Sequence, residues 1–231
     1  MQKKKDLFIV AIDGPAGAGK SAVAKKIAER FGWAYVNTGR LYRAVGTLLD
    51  DDQIKDLEKN PELERWEKLF AAIRYDSALG QIFYEDKNIS KQLMSPEVAQ
   101  RASLVAGSAV LRKLLLPIQR MWALSAKKGC VVEGRDIGTV VFPDAQLKLY
   151  ITASVNCRAL RRQKQLALAG GKPETLEEIA EQISLRDQQD MQRAAAPLTK
   201  AADAVVIDTT KLDLSAVVQK IATHFEKLDL A

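Results

Sequence analysis

Residues 7–21 read LFIVAIDGPAGAGKS: an apolar run from Leu7 to Ile12, a carboxylate at Asp13, and a glycine-rich loop that ends in Lys20 and Ser21. From Gly14 to Ser21 the loop matches the pattern G-x-x-x-x-G-K-[ST] at every fixed position. Gly14, Gly17 and Gly19 lack a Cβ, so the backbone through Pro15, Ala16 and Ala18 is free to wrap with its N–H groups pointing inward. The helix that opens near Lys20 and runs on through Ala22 turns its positive end to the same point. This is a phosphate cradle in which Lys20 reaches the β- and γ-phosphates and Ser21 offers a hydroxyl to Mg²⁺. A glycine-rich turn that binds nothing is the bland alternative, and the strand before and the helix after weigh against it.

Outward from the loop, Ala22 to Phe31 puts Val23, Ile27, Ala28 and Phe31 on one helical face, and Gly32 ends it. Trp33 to Val36 reads as a short strand. NTGRLYRAVGTLL then opens a helix with Thr38 as its cap and Leu41, Val45, Leu48 and Leu49 as its apolar face. Asp50 to Pro61 reads as a helix end and loop, Glu62 to Phe70 as a helix, and Ile73 to Ser90 as a hairpin unit inserted in an α/β plan. A helix starting at Pro96 breaks near Gly107 and resumes from Val110 to Ala126, where Pro117 predicts a kink.

Cys130 to Val132 and Leu147 to Ile151 are buried strands with the polar run GRDIGT between them. Asn156 to Ala169 is a basic helix closed by Gly170-Gly171-Lys172-Pro173; Glu174 to Arg193 is a charged helix, Ala204 to Ile207 a strand, and Leu214 to Leu228 an amphipathic helix. Strands separated by helices predict an α/β fold: a mostly parallel, five-stranded sheet flanked by helices on both faces. Ligands of such sheets bind beyond the carboxyl ends of the strands, where Asp13, Asn37, Glu133 and Gly134 all fall.

The 231 residues are enough for a substantial core, and the formal charge of +6 fits either nucleic acid or a pocket for polyanionic small molecules. The arginines at 43, 112, 135, 186 and 193 are scattered, not gathered in a stripe with aromatics, which favours convergence on one phosphate-rich pocket over nucleic acid. Cys130 and Cys157 lack C-x-x-C spacing, so neither a zinc site nor a redox pair is indicated, and His224 carries no role. Met1 to Lys5 is basic, but the apolar run behind it is too short for a signal segment, and no stretch approaches the roughly 18 apolar residues of a membrane span. A reduced, cytoplasmic enzyme with no membrane partner is the expectation.

Phosphoryl transfer needs two substrates held in line with their charge neutralised. The planar guanidinium does this with two parallel hydrogen bonds and a permanent charge. Arg43, Arg135, Arg186 and Arg193 are placed to reach the gap between donor and acceptor, although Arg43 also fits a solvent-facing position. Arg186, Asp190 and Arg193 share one helical face, a spacing that equally fits a surface salt-bridge face. Glu133, Arg135 and Asp136 in EGRD fit a functional cluster or a solvated rim. Arg158, Arg161 and Arg162 fit a mobile basic flap over the donor phosphates, or a solvated helix. Asp13 either supports Mg²⁺ through water or caps and hydrogen-bonds the loop, and support is favoured over direct ligation.

GPAGAGKS, NTGRLYR, EGRDIGTVVFPDA, the RDxxDxxR run from Arg186 to Arg193, and then APL and AADAVVIDTT together resemble bacterial-type cytidylate kinase from Ile9 to the last helix. The resemblance implies a P-loop NTPase fold with an enlarged acceptor-binding insert and a short lid. It divides the single unit into a core (1–36, 128–157, 194–231), an acceptor region (about 37–127) and a lid (about 158–193). It also implies a monomer that uses Mg²⁺ to transfer the ATP γ-phosphoryl to CMP or dCMP. In that scheme Thr38 and Arg43 hold the acceptor, with Arg43 on its phosphate. Ser103, Arg112 and Asp136 read cytosine, the carboxylate accepting from the exocyclic amine while Ser and Arg donate to the carbonyl oxygen and ring nitrogen. Arg135 and Arg193 bind phosphate and, with Lys20, form the catalytic set. Arg186 and Asp190 hold the ribose, and the Ile73 to Ser90 hairpin closes over CMP. Glu133 and Asn37 stand where the family usually has Asp, Met94 where Arg is common, and Ala22 where a second small polar residue often follows.

Overall fold

The protein is described from a computed structural model that covers residues 7–59, 63–168 and 174–226. In chain order the elements are β1 (Phe8–Asp13), α1 (Lys20–Phe31), β2 (Ala34–Asn37), α2 (Gly39–Leu48), α3 (Asp51–Lys59), α4 (Leu63–Ala71), β3 (Ile73–Asp76), β4 (Gln81–Tyr84) and β5 (Lys87–Asn88). A 3-10 turn (Gln92–Met94), α5 (Pro96–Gly107), α6 (Ala109–Leu124), β6 (Gly129–Glu133) and a π-helical turn (Ile137–Val141) follow. The chain continues through β7 (Leu147–Thr152), α7 (Val155–Leu168), α8 (Leu176–Gln192), β8 (Val205–Asp208) and α9 (Leu214–Glu226).

The five expected strands form one parallel sheet in the order β2-β6-β1-β7-β8. Successive residues of a strand face opposite ways, so β1 feeds two cores. Ile9 and Ala11 join Cys130 and Val132 under the helical wall of Leu41, Val45, Leu111 and Leu115. Val10 and Ile12 join Val131, Leu149 and Ile151 against Val23 and Ile27 of α1 and Val217, Ile221 and Phe225 of α9. The hairpin strands form a separate antiparallel sheet, with Ile73 opposite Tyr84. Ile73 and Ile82 are fully buried in the same core as Leu41, which roots the insert on α2.

Several local expectations change. Asp50 to Lys59 is not a loop: the Asp50 carboxylate accepts from the Gln53 amide at 2.8 Å while the Gln53 side chain accepts from the Asp50 amide at 3.0 Å. That reciprocal cap starts α3, whose Ile54 and Leu57 are buried. Thr38 does not cap α2 through its side chain; its hydroxyl donates to the Glu133 carbonyl at 2.9 Å. α6 runs through Pro117 without interruption, and the bend of 98° falls at Ser108 between α5 and α6. There Ser108 Oγ accepts from the Leu111 amide and restarts the helix. β1, β2 and β6 each extend one residue past the expected end, so Asp13, Asn37 and Glu133 are the last residues of their strands. Met1 to Lys5, Pro61, Gly170-Gly171-Lys172-Pro173 and the final residues beyond Glu226 lie outside the described residues.

Candidate active site

The phosphate loop is formed as its glycines require. Gly14 has φ +141°, and a Cβ there would lie 1.9 Å from the Ile151 carbonyl oxygen; Gly17, at φ +77°, packs against the Arg158 side chain. Three of the loop's carbonyls are held by side chains: Pro15 O accepts from Lys20 Nζ at 2.7 Å, Ala16 O from Arg158 Nη1 at 3.0 Å, and Ala18 O from the Thr209 hydroxyl at 3.1 Å. The opposed N–H groups are left for an anion. Lys20 is buried, and that burial, reinforced by the charge of Arg135, holds its pKa well below the usual lysine value.

Asp13 ends β1 with its side chain turned to the segment after EGRD. Its two carboxylate oxygens accept from the amides of Ile137 and Gly138, each at 2.7 Å. The side chain therefore ties the end of β1 to the turn after EGRD. Burial raises its pKa from 3.8 to about 6, against the pull of those two hydrogen bonds.

One cleft of about 440 Å³ joins Gly17, Lys20 and Ser21 of the loop to Thr38, Arg43, Ser103, Arg112, Arg135, Asp136, Arg186, Asp190 and Arg193. Every residue expected to hold the acceptor thus lines a single cavity with the loop. At its back Arg112 donates from Nη2 to Asp136 Oδ2 and lies 5.6 Å from the Tyr42 ring centroid. Ser103 donates to the Ala99 carbonyl at 3.2 Å. Arg135 Nε donates to Asp190 Oδ2 at 2.7 Å, and Arg193 Nε to the Ala196 carbonyl at 2.7 Å. The buried Arg186 Nε and Arg193 Nη2 have no hydrogen-bond partner. Burial and the charge of Arg135 push the Arg186 pKa down to about 10. Converging cations with open donors make an anion site.

A second recess of about 590 Å³ shares Gly17, Lys20 and Ser21 with the first and continues along Ala22, Arg161, Thr209, Leu212 and Asp213. Arg161 donates to the Thr209 hydroxyl at 2.9 Å and to its carbonyl at 2.7 Å. Arg158 is buried, with Nε on the Ala153 carbonyl and Nη2 paired to Asp187 at 2.6 Å, so it braces the loop from outside. Of the three arginines of α7 only Arg162 is exposed, with its charge felt at Arg43.

A model of the cytidylate kinase family matches residues 10–227. The chain belongs to the cytidylate kinase family. Cytidylate kinase of Thermosipho melanesiensis is 42% identical over 212 residues, covering 92% of this chain and 94% of that protein. That of Thermotoga neapolitana is 42% identical over 220 residues, covering 95% and 97%. Among solved structures, an uncharacterized protein from Eubacterium ventriosum superposes with a TM-score of 0.51 at 15% identity, covering 96% of this chain and 99% of that one, a likeness of fold alone.

Two departures from the usual cytidylate kinase pattern meet in one cluster. Asn37 and Glu133 are register partners across β2 and β6, and Glu133 Oε1 accepts from Asn37 Nδ2 at 2.8 Å and from the Tyr35 hydroxyl. A carboxylate at position 37 would face Glu133 with no proton to donate, whereas the amide supplies one. The Tyr35 hydroxyl also lies beside Ser21, and burial with the Glu133 charge raises its pKa. Met94 is 75% exposed at the cleft rim.

Tyr35, Asp187 and Thr209 were missed as site-supporting residues because their partners lie far along the chain. Asp187 had a signal in the RDxxD run. Tyr42, which receives a hydrogen bond from Gln119 at 3.2 Å beneath Arg112, had one in its place next to Arg43.

Proposed function

We propose that this cytidylate kinase family member transfers the γ-phosphoryl of ATP to CMP and dCMP in line, yielding ADP and the nucleoside diphosphate. The observation that carries this reading is the single cleft shared by the phosphate loop and by Ser103, Arg112 and Asp136. ATP lies along the second recess with its phosphates on the loop, where Lys20 neutralises charge on the transferring group. Arg43, Arg135 and Arg193 take the acceptor phosphate, Arg186 and Asp190 the ribose, and Ser103, Arg112 and Asp136 the base. Residues 158–193 act as the lid and 37–127 as the acceptor region of a cytoplasmic monomer.

The donors present fit Mg²⁺. Ser21, an exposed residue, lines both recesses where they meet, and among the described residues no group of three His, Cys, Asp or Glu side chains is arranged for a metal. An ion of this kind keeps most of its shell from phosphate oxygens and water, so one hydroxyl from the chain suffices. When bound it supplies charge neutralisation at the β- and γ-phosphates. Steady-state assays with ATP and a panel of CMP, dCMP, UMP and AMP test the reading: CMP and dCMP are expected as the preferred acceptors, and equal turnover of UMP overturns the base assignment.

A further inference from the structure

Arg40 is half-buried on the first turn of α2 and lines the acceptor cleft beside Arg43. It donates from Nη1 to the carbonyl of Gly80, in the turn between β3 and β4. Arg43, one helical turn on, donates from Nη1 to the carbonyl of Leu93 at 2.6 Å, in the 3-10 turn that follows the hairpin. Two arginines of one helix therefore hold the insert by its backbone at two places, the tip of the hairpin and the segment where it rejoins the core. Both arginines line the cleft, as does Leu93.

The grips differ in what competes for them. Arg43 is surrounded by Arg162, Arg40 and Arg135, and burial with those charges lowers its pKa, so an anion is favoured beside it. A phosphate is a stronger acceptor for a guanidinium than a neutral amide carbonyl, and Arg43 keeps N–H groups beyond the one on Leu93 with which to take it. Arg40 reaches to the hairpin tip, and its bond to Gly80 does not have to break for the phosphate to bind. We infer that Arg40 is a positioning residue for the acceptor: it anchors the hairpin tip to α2 while Arg43 turns its remaining N–H groups to the acceptor phosphate, and so keeps the insert over the bound nucleotide. The inference rests on the reading of this cleft as the acceptor site.

The test compares wild type, Arg40→Ala and Arg40→Lys in two measurements. Hydrogen exchange without ligand, followed over residues 77–84, is expected to be faster in Arg40→Ala on the order of tenfold, the loss of one charge-assisted hydrogen bond. Steady-state kinetics are expected to show a KM for CMP raised on the order of tenfold, with kcat and the KM for ATP within about twofold of wild type. Arg40→Lys, which keeps a charged donor for Gly80, is expected to recover most of both effects. Unchanged exchange together with an unchanged CMP KM overturns the inference. So does a fall in kcat that lysine does not rescue, because that places the guanidinium on the reacting groups. If wild type itself fails to phosphorylate CMP, the acceptor reading falls; the exchange measurement still decides whether Arg40 anchors the hairpin, with unchanged rates removing the anchor as well.

Discussion

Arg112 and Asp136 form a buried ion pair, Nη2 to Oδ2, with side chains 8% and 5% exposed. Asp136 Oδ1 also lies 3.8 Å from Arg193 Nη2, so one carboxylate links Arg112 to Arg193 in the cleft. Removing one member of such a pair leaves an uncompensated buried charge, which costs about 3–5 kcal/mol. Asp136→Ala is therefore expected to lose stability in chemical denaturation as well as cytosine preference. Asp136→Asn keeps the shape, and its CMP over UMP preference is expected to fall by about 1–3 kcal/mol, as for a lost base-edge contact. An unchanged ratio contradicts the base-reading role.

Arg193 holds the Ala196 carbonyl through Nε and leaves a buried Nη2 without a hydrogen-bond partner in the cleft. Arg193→Ala should weaken turnover of every monophosphate by a similar factor, because phosphate is common to them. A defect confined to CMP in the same acceptor panel argues against a phosphate role.

Lys20 bonds the Pro15 carbonyl at 2.7 Å within the loop. Lys20→Met keeps the packed stem and removes the charge aimed at the transferring phosphoryl, and kcat is expected to fall by about 10²-fold or more. Nucleotide affinity, read by calorimetry, should fall far less. Near-normal kcat removes Lys20 from the catalytic set.

Asp13 titrates near 6 in the folded protein against 3.8 for the free side chain. Between those values the folded chain keeps a proton that the unfolded chain has released, so this group lowers stability as pH rises from about 4 to about 6 and adds no further change above. Asp13→Asn does not titrate. The stability of wild type relative to this variant, measured by urea denaturation, is expected to drop on the order of 2 kcal/mol from pH 4 to pH 7. A difference that is flat with pH contradicts the raised pKa.

Asn37 donates to Glu133 across β2 and β6 at 2.8 Å. Asn37→Asp replaces that donor by a second carboxylate and is expected to cost about 1–3 kcal/mol at pH 8. Following with Glu133→Gln, whose amide can donate to the new carboxylate, should recover part of the loss. Additive losses in the double variant would show that the two positions do not interact.

Much of the fold was legible because its signals are local. The apolar runs, the glycines at 14, 17 and 19, and the alternation of strand with helix each depend on neighbours within a turn or two, and all five strands and the hairpin are where those patterns put them. The misreadings have a common cause. Where a helix end and loop are expected from Asp50 to Pro61, the described part, Asp51–Lys59, is a helix, through a side-chain cap at Gln53 and burial of Ile54 and Leu57 against distant helices. Thr38 before an apolar run predicts a side-chain cap, but β6 offers its hydroxyl a carbonyl that lies 95 residues away in the chain.

The site divides in the same way. From the sequence alone came the anion cradle, since glycine spacing and a following helix are enough to aim backbone N–H groups at a phosphate. The residue types able to bind a second nucleotide were also legible, through the family they resemble. Only the tertiary structure decided each charge's partner: Asp13 on the Ile137 and Gly138 amides, Arg158 on Asp187, Arg135 on Asp190, Arg40 on Gly80. Those pairings depend on strand register and helix docking, which bring together side chains with no local relation in sequence, and burial then sets how strongly each pair interacts.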